Sequence, residues 1–262
     1  MPTNHYINVI ERMMCVLEAF GPRTEVSLKN LTLRSGMVKS SVFRILYTLE
    51  KLGYVTKSHD GMYAIAPKFV ALISPAHPNS DLIDASHLWM KGLVDRFKET
   101  VNLGVLDGNE VLYIHVIESP HMLRLAARAG IRSALHTSAL GKCLTAHLQT
   151  KEVERLLKLS FRRMTARTIA TKERFFDELE ETRKRGFAID NSEESDGIRC
   201  VGVPVVDLHG RVTAALSLSG PDSRVSEDRF VEIADALRTA SKNISKALKT
   251  ASNQSLYRER ST

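Results

Sequence analysis

The chain has 262 residues, 43% of them apolar and 26% charged, an ordinary globular composition with length enough for two domains that each bury a core. Its formal charge of +7 and pI near 9.4 favour a polyanionic partner. Three scattered cysteines, Cys15, Cys143 and Cys200, exclude a disulfide framework and a paired-cysteine metal site. No apolar run approaches the roughly 20 residues of a membrane span and no signal-peptide core is present, so the expectation is a cytoplasmic protein with no membrane partner.

Tyr6 to Phe20 places Ile7, Ile10, Met14, Leu17 and Phe20 at helical spacing, a scaffold helix stopped by Gly21-Pro22. Leu28 to Ser35 is a short helical run, and Gly36 follows where a tight turn needs a residue free of Cβ strain. Lys39 to Gly53 is the next helix, with Val42, Ile45, Leu46, Leu49 and Leu52 as its buried stripe. Its other face carries Lys39, Ser40, Ser41, Phe43, Arg44 and Tyr47: cations, hydroxyls and aromatics, with no carboxylate among them. Tyr54–Lys57 and Met62–Ile65 flank Ser58-His59-Asp60-Gly61, a hairpin signal, and Lys57 sits on that wing. Helix pair, glycine turn and hairpin together make a winged helix-turn-helix, whose second helix suits a DNA major groove. The alternatives are a helical hairpin with a solvated face and a winged helix that binds protein.

Pro67 to Ile73 is a short apolar segment, and Ser74 to Ser80 the clearest linker. The helix after it has Leu82, Ile83, Ala85, Trp89, Met90, Leu93, Val94 and Phe97 on one face, with Trp89 expected to anchor packing. From Val101 the period becomes that of strands. Val101–Asp107 and Val111–Ile117 form a hairpin about Asp107-Gly108-Asn109-Glu110, Met122–Ala127 reads as a third strand, and Arg128–Ala134 as a loop. Ser138 to Leu148 is helical despite Gly141, followed by helices over Glu152–Leu159 and Phe175–Arg185. Cys200–Asp207 and Val212–Ser219 close the sheet through the Leu208–Arg211 turn. Ser226 caps a last helix faced by Phe230, Ile233, Leu237, Ile244 and Leu248, and the tail from Ser252 has no packing pattern. The fold class is α+β: residues 1–73 a DNA-binding winged helix, 74–100 a linker and linker helix, 101–251 a sensor-like domain, and 252–262 a disordered tail.

No catalytic constellation, cofactor motif or metal motif stands out. Gly141-Lys142 fails as a phosphate loop because His136 stands where the earlier glycine belongs and Cys143 follows the lysine. Asp190, Glu193, Glu194 and Asp196 form an acidic cluster, expected to be a solvated loop. Ser217 and Ser219 alternate with Leu216 and Leu218, so two hydroxyls share one face of an apolar strand; a polar ligand or neighbouring backbone can partner them.

Arg185-Gly186-Phe187-Ala188-Ile189-Asp190, Glu193-Glu194, Gly197 to Val205 and Ala214 to Pro221 resemble the signature of the IclR family of bacterial transcriptional regulators. The N-terminal helix-turn-helix, the linker helix and Ser138 to Lys142 agree with it. The resemblance implies a winged helix, a linker helix and a GAF-like effector-binding domain. It implies dimers or tetramers on palindromic double-stranded operators, and a small organic or sugar-derived acid as effector. Carried over residue by residue, the effector pocket would be lined by Ala139, Leu140, Asp190, Cys200, Ser217 and Ser219. Ala139 departs from the glycine common in the family, which narrows backbone access there. The rival classes are an enzyme or redox sensor using Cys200, and a protein-interaction module that does not touch DNA.

Overall fold

The computed structural model describes residues 6–21, 25–73, 79–157, 161–207 and 209–259. The chain divides into two compact units after Pro78. Residues 74–78 of the expected linker, Lys158 and Leu159 of an expected helix, Leu208 of the expected turn and the last three residues of the tail lie outside the described residues.

The first unit contains α1 (Asn8–Glu18), β1 (Val26–Ser27), α2 (Leu28–Ser35), α3 (Lys39–Lys51), β2 (Val55–Lys57), β3 (Met62–Ile65) and α4 (Pro67–Ile73). Gly36 takes φ +67° between α2 and α3, a left-handed turn that glycine adopts without Cβ strain. Val16, Phe20, Leu31, Val42, Leu46, Leu49, Val55 and Tyr63 share one core. Arg34 ties α2 to the end of α1 by donating to the carbonyls of Ala19 at 3.1 Å and Phe20 at 3.2 Å. The sheet runs β1-β3-β2, with Val26 opposite Tyr63 and Ser27 opposite Met62. Ser27 also accepts from the Asn30 N–H at 3.3 Å, capping α2.

The second unit contains α5 (Ser80–Phe97), β4 (Thr100–Asp107), β5 (Glu110–Ile117), β6 (Arg132–Ala134), α6 (Ala139–Ala146), α7 (Thr150–Leu156), α8 (Lys172–Arg185), β7 (Ala188–Asn191), β8 (Ile198–Val206), β9 (Val212–Pro221), a 3-10 turn at Glu227–Arg229 and α9 (Phe230–Glu259). Six antiparallel strands lie in the order β6-β5-β4-β9-β8-β7. On one face α5 and α9 bury Met90, Leu93, Phe97 and Leu237 against Val201, Val203, Leu216 and Leu218. On the other, α6 packs Leu140, Cys143 and Leu144 against Ala188 and Ala215. Gly141 sits inside α6 for a steric reason: a Cβ there would lie 2.4 Å from the Leu135 carbonyl oxygen. Gly202 likewise lets the start of α6 touch the sheet, since its Cβ would meet Ala139 at 3.2 Å.

Several expectations change. Met122–Ala127 is not a strand; Met122 and Leu123 are exposed, and the edge strand is Arg132–Ala134, within the expected loop. The earlier segment crosses outside the sheet, where Leu125 O accepts from the Thr100 hydroxyl at 3.4 Å. The tail does not begin at Ser252, because α9 continues to Glu259. Pro67–Ile73 is helical, and β1 carried no alternation long enough to be recognised. Ile7, Ile10 and Met14 are exposed rather than buried, because the packed part of α1 is its last two turns. Leu52 is exposed as well, at the C-cap of α3 beyond the packed stripe. Trp89 remains 37% exposed.

Candidate functional site

In the first unit, α3 presents Lys39, Ser40, Phe43, Arg44 and Tyr47 to solvent, with Ser41 half-buried and Lys57 exposed on the hairpin. Val42, Leu46 and Leu49 bury the opposite side, so packing dictates which face is outward. No side chain caps the start of α3, leaving its first N–H groups and positive dipole end available to an anion.

In the second unit, strand register assembles the other candidate residues. Asp190 on β7 lies opposite Cys200 on β8, and Cys200 opposite Ser219 on β9. One step along, Ser217 lies between Gly202 and Asn102. Ala139 and Leu140 open α6 above this row, where their N–H groups have no carbonyl within the helix. All six pocket candidates, Ala139, Leu140, Asp190, Cys200, Ser217 and Ser219, line one cavity of about 140 Å³.

The match to known proteins falls on these two units. Residues 9–59 fit the model for the IclR helix-turn-helix domain, and residues 76–246 that for the bacterial transcriptional regulator IclR C-terminal domain. The chain belongs to the IclR family of bacterial transcriptional regulators. It is 37% identical over 241 residues to the HTH-type transcriptional regulators KdgR of Dickeya chrysanthemi and Escherichia coli K12, covering 91% of this chain and 79% and 92% of theirs. The crystal structure of the Thermotoga maritima IclR superposes with a TM-score of 0.77 at 29% identity, over 93% of this chain and 99% of that one. An IclR-type DNA-binding regulator thus combines a helix-turn-helix unit with an α/β unit, and among its described residues no helix is long and apolar enough to cross a membrane.

The electrostatics of this IclR-type cavity differ from the expected solvated acidic loop. Asp190 is 1% exposed, Glu193 is buried and Glu194 half-buried. Ser192, at φ +60°, turns the chain so that the Glu193 N–H reaches Asp190 Oδ1 at 2.7 Å. Burial pushes the Asp190 carboxyl up to about 7, although that N–H bond and the Lys142 charge pull it down. Near neutral pH Asp190 is therefore shared between its acid and carboxylate forms. Burial also raises Glu194, whose Oε1 accepts from the Ser133 hydroxyl at 2.6 Å.

Cys200 lies beneath these acids. Burial and the Asp190 charge hold its thiol well above the usual range, the reverse of a reactive thiolate. Arg199, its neighbour, turns to the other face and bonds Asn191 and Glu227.

Three contributors escaped the sequence reading. Glu194 lines the cavity itself. Lys142 is fully buried and donates to Ile189 O and Glu193 Oε1, both at 2.6 Å. Asn102 donates from Nδ2 to Ser217 at 3.3 Å and Ser219 at 3.0 Å, while its Oδ1 is buried without a partner. The signal for Asn102 was legible: one polar residue between Val101 and Leu103 in an apolar strand.

Proposed function

We propose that this IclR-type regulator binds a palindromic operator as a dimer or tetramer and releases or grips it in response to a small hydroxylated organic acid held in the second-unit cavity. Lys39, Ser40, Ser41, Phe43, Arg44 and Tyr47 face the major groove, and Lys57 on the wing meets a phosphate. In the cavity, the Ser217 and Ser219 hydroxyls and the first N–H groups of α6 take the ligand carboxylate, and Asp190 bonds a ligand hydroxyl. The supporting observation is the register that lines up Asp190, Cys200 and Ser219 across three strands beneath the start of α6. Ser217 and Ser219 accept from Asn102, and a polar ligand can take up the donor capacity of their hydroxyls.

The experiment is a thermal-shift screen of the full chain against small hydroxy and keto acids. An acid that raises the Tm of the wild type and not of Ser217→Ala/Ser219→Ala supports the cavity. A hit that stabilises both equally places the effector elsewhere. A cysteine redox sensor is disfavoured by the buried, raised Cys200 thiol.

A further inference from the structure

Two aromatic rings stand on the outward face of α3. Phe43 is 45% exposed and Tyr47 50% exposed, one helical turn apart, with ring centroids 6.3 Å from each other and planes inclined by 29°. The two are not equivalent. Tyr47 also has the Lys51 ammonium over its ring, 5.5 Å from the centroid. Phe43 is nearly half exposed beside Tyr47, and it lies nearer the start of the helix, the part of a recognition helix that reaches base edges. Its neighbours on that face, Ser40, Lys39 and Arg44, can all donate hydrogen bonds. Phe43 cannot. The carboxylate on the same face is Glu50, on the last turn beyond Tyr47.

An exposed phenyl ring on a surface that docks against base edges has a restricted choice of neighbour. Against the polar edge of guanine, cytosine or adenine it would strip water from donors and acceptors and replace none of their bonds. The major groove offers one apolar group, the 5-methyl of thymine. We infer that Phe43 reads a thymine methyl in each operator half-site, with Tyr47 acting as a positioning residue that holds the Phe43 ring at its stacked distance. This rests on α3 being the DNA-reading helix, as proposed above. It adds a base identity to that reading: a thymine at the position facing Phe43, selected by an apolar contact while Arg44 and Ser40 supply the polar ones.

The test uses the full chain and duplexes enriched by it from a random-sequence pool. Each thymine of the enriched site is replaced in turn by uracil, which removes the methyl and leaves base pairing intact. Binding is followed by fluorescence anisotropy at fixed salt. One thymine per half-site should lose roughly fourfold in affinity on replacement, the effect expected for burial of one methyl group. Phe43→Ala should bind more weakly and no longer distinguish thymine from uracil at that position. Tyr47→Ala should narrow the ratio and Tyr47→Phe should restore it, which a role confined to folding would not produce. The inference is overturned if no position distinguishes thymine from uracil, or if Phe43→Ala keeps the wild-type ratio. Enrichment of no sequence at all would instead sink sequence-specific DNA recognition by α3, an outcome separable from loss of the methyl contact alone.

Discussion

Lys142 Nζ lies 2.6 Å from Glu193 Oε1, with the lysine side chain at 0% and the glutamate at 8% exposure. Glu178 stands 3.7 Å from the same ammonium, and Glu193 Oε2 has no partner. The pair ties α6, which Ala139 opens, to the loop that follows Asp190 and the end of β7. Removing one member of a buried pair leaves an uncompensated charge. Lys142→Met should therefore cost about 3–5 kcal/mol in urea unfolding, and adding Glu193→Gln should recover much of it. Equal losses in the single and double variants would show that packing, not charge, holds this joint.

Asp190 predicts a pH dependence of stability. Its folded carboxyl sits at about 7 against an ordinary 3.8, so the folded state holds the proton more tightly. That contribution is complete below the ordinary value and is lost as pH rises through about 7. Burial shifts Glu193 and half-buried Glu194 in the same direction. Asp190→Asn should flatten the decline in urea midpoint between about pH 5 and about pH 8 relative to wild type. Parallel curves for the two proteins would remove Asp190 as the titrating group.

The same acids bear on ligand binding. A carboxylate entering beside Asp190 and Glu194 raises their proton affinity, so binding should take up a proton and weaken as pH rises through about 7. Calorimetry of an acid found by the thermal-shift screen, repeated in buffers of different ionisation enthalpy, measures the uptake. In the same titration Ser217→Ala/Ser219→Ala should lose roughly tenfold to a hundredfold in affinity while binding DNA normally. An unchanged dissociation constant would free both serines of any role toward that acid.

Arg44 is exposed on α3, and no carboxylate is bonded to it among the described residues. Arg44→Ala should weaken operator binding by about 1–3 kcal/mol without moving the thermal midpoint. An unchanged anisotropy titration at fixed salt would take Arg44 out of the interface.

The unit that ends at Pro78 should bind an enriched duplex far more weakly than the full chain, because one reading head meets one half-site and loses the effective concentration that linkage provides. Equal affinity would remove the dimer from the mechanism.

The parts of the fold legible in the sequence were those set by periodicity and turn chemistry. Leu28–Ser35, the glycine turn and the hairpin about Asp60-Gly61 follow from local rules, and the structure places them at those residues. Convergence of Asp190, Cys200 and the two serines was reachable because strands alternate and neighbours pair in sequence order. What escaped depends on long-range contact. Lys142 has no carboxylate near it in sequence and meets Glu193 only across the fold, and the acidic loop reads as solvated until Ser192 folds it inward. Met122–Ala127 has strand-like composition, yet the place beside β5 goes to Arg132–Ala134.

Ser27 belongs to two structures at once, pairing with Met62 in the sheet and capping α2 through Asn30. The hairpin that carries Lys57 is thereby fastened to the helix pair that carries Phe43. The first unit is a gauge of fixed width: the interval between the hairpin and α3 is set by one core, in which Val42, Leu46, Val55 and Tyr63 pack together. In the dimer proposed above, occupancy would change through the spacing of two such gauges, so variants that retune the response without altering the preferred sequence should lie outside residues 26–65.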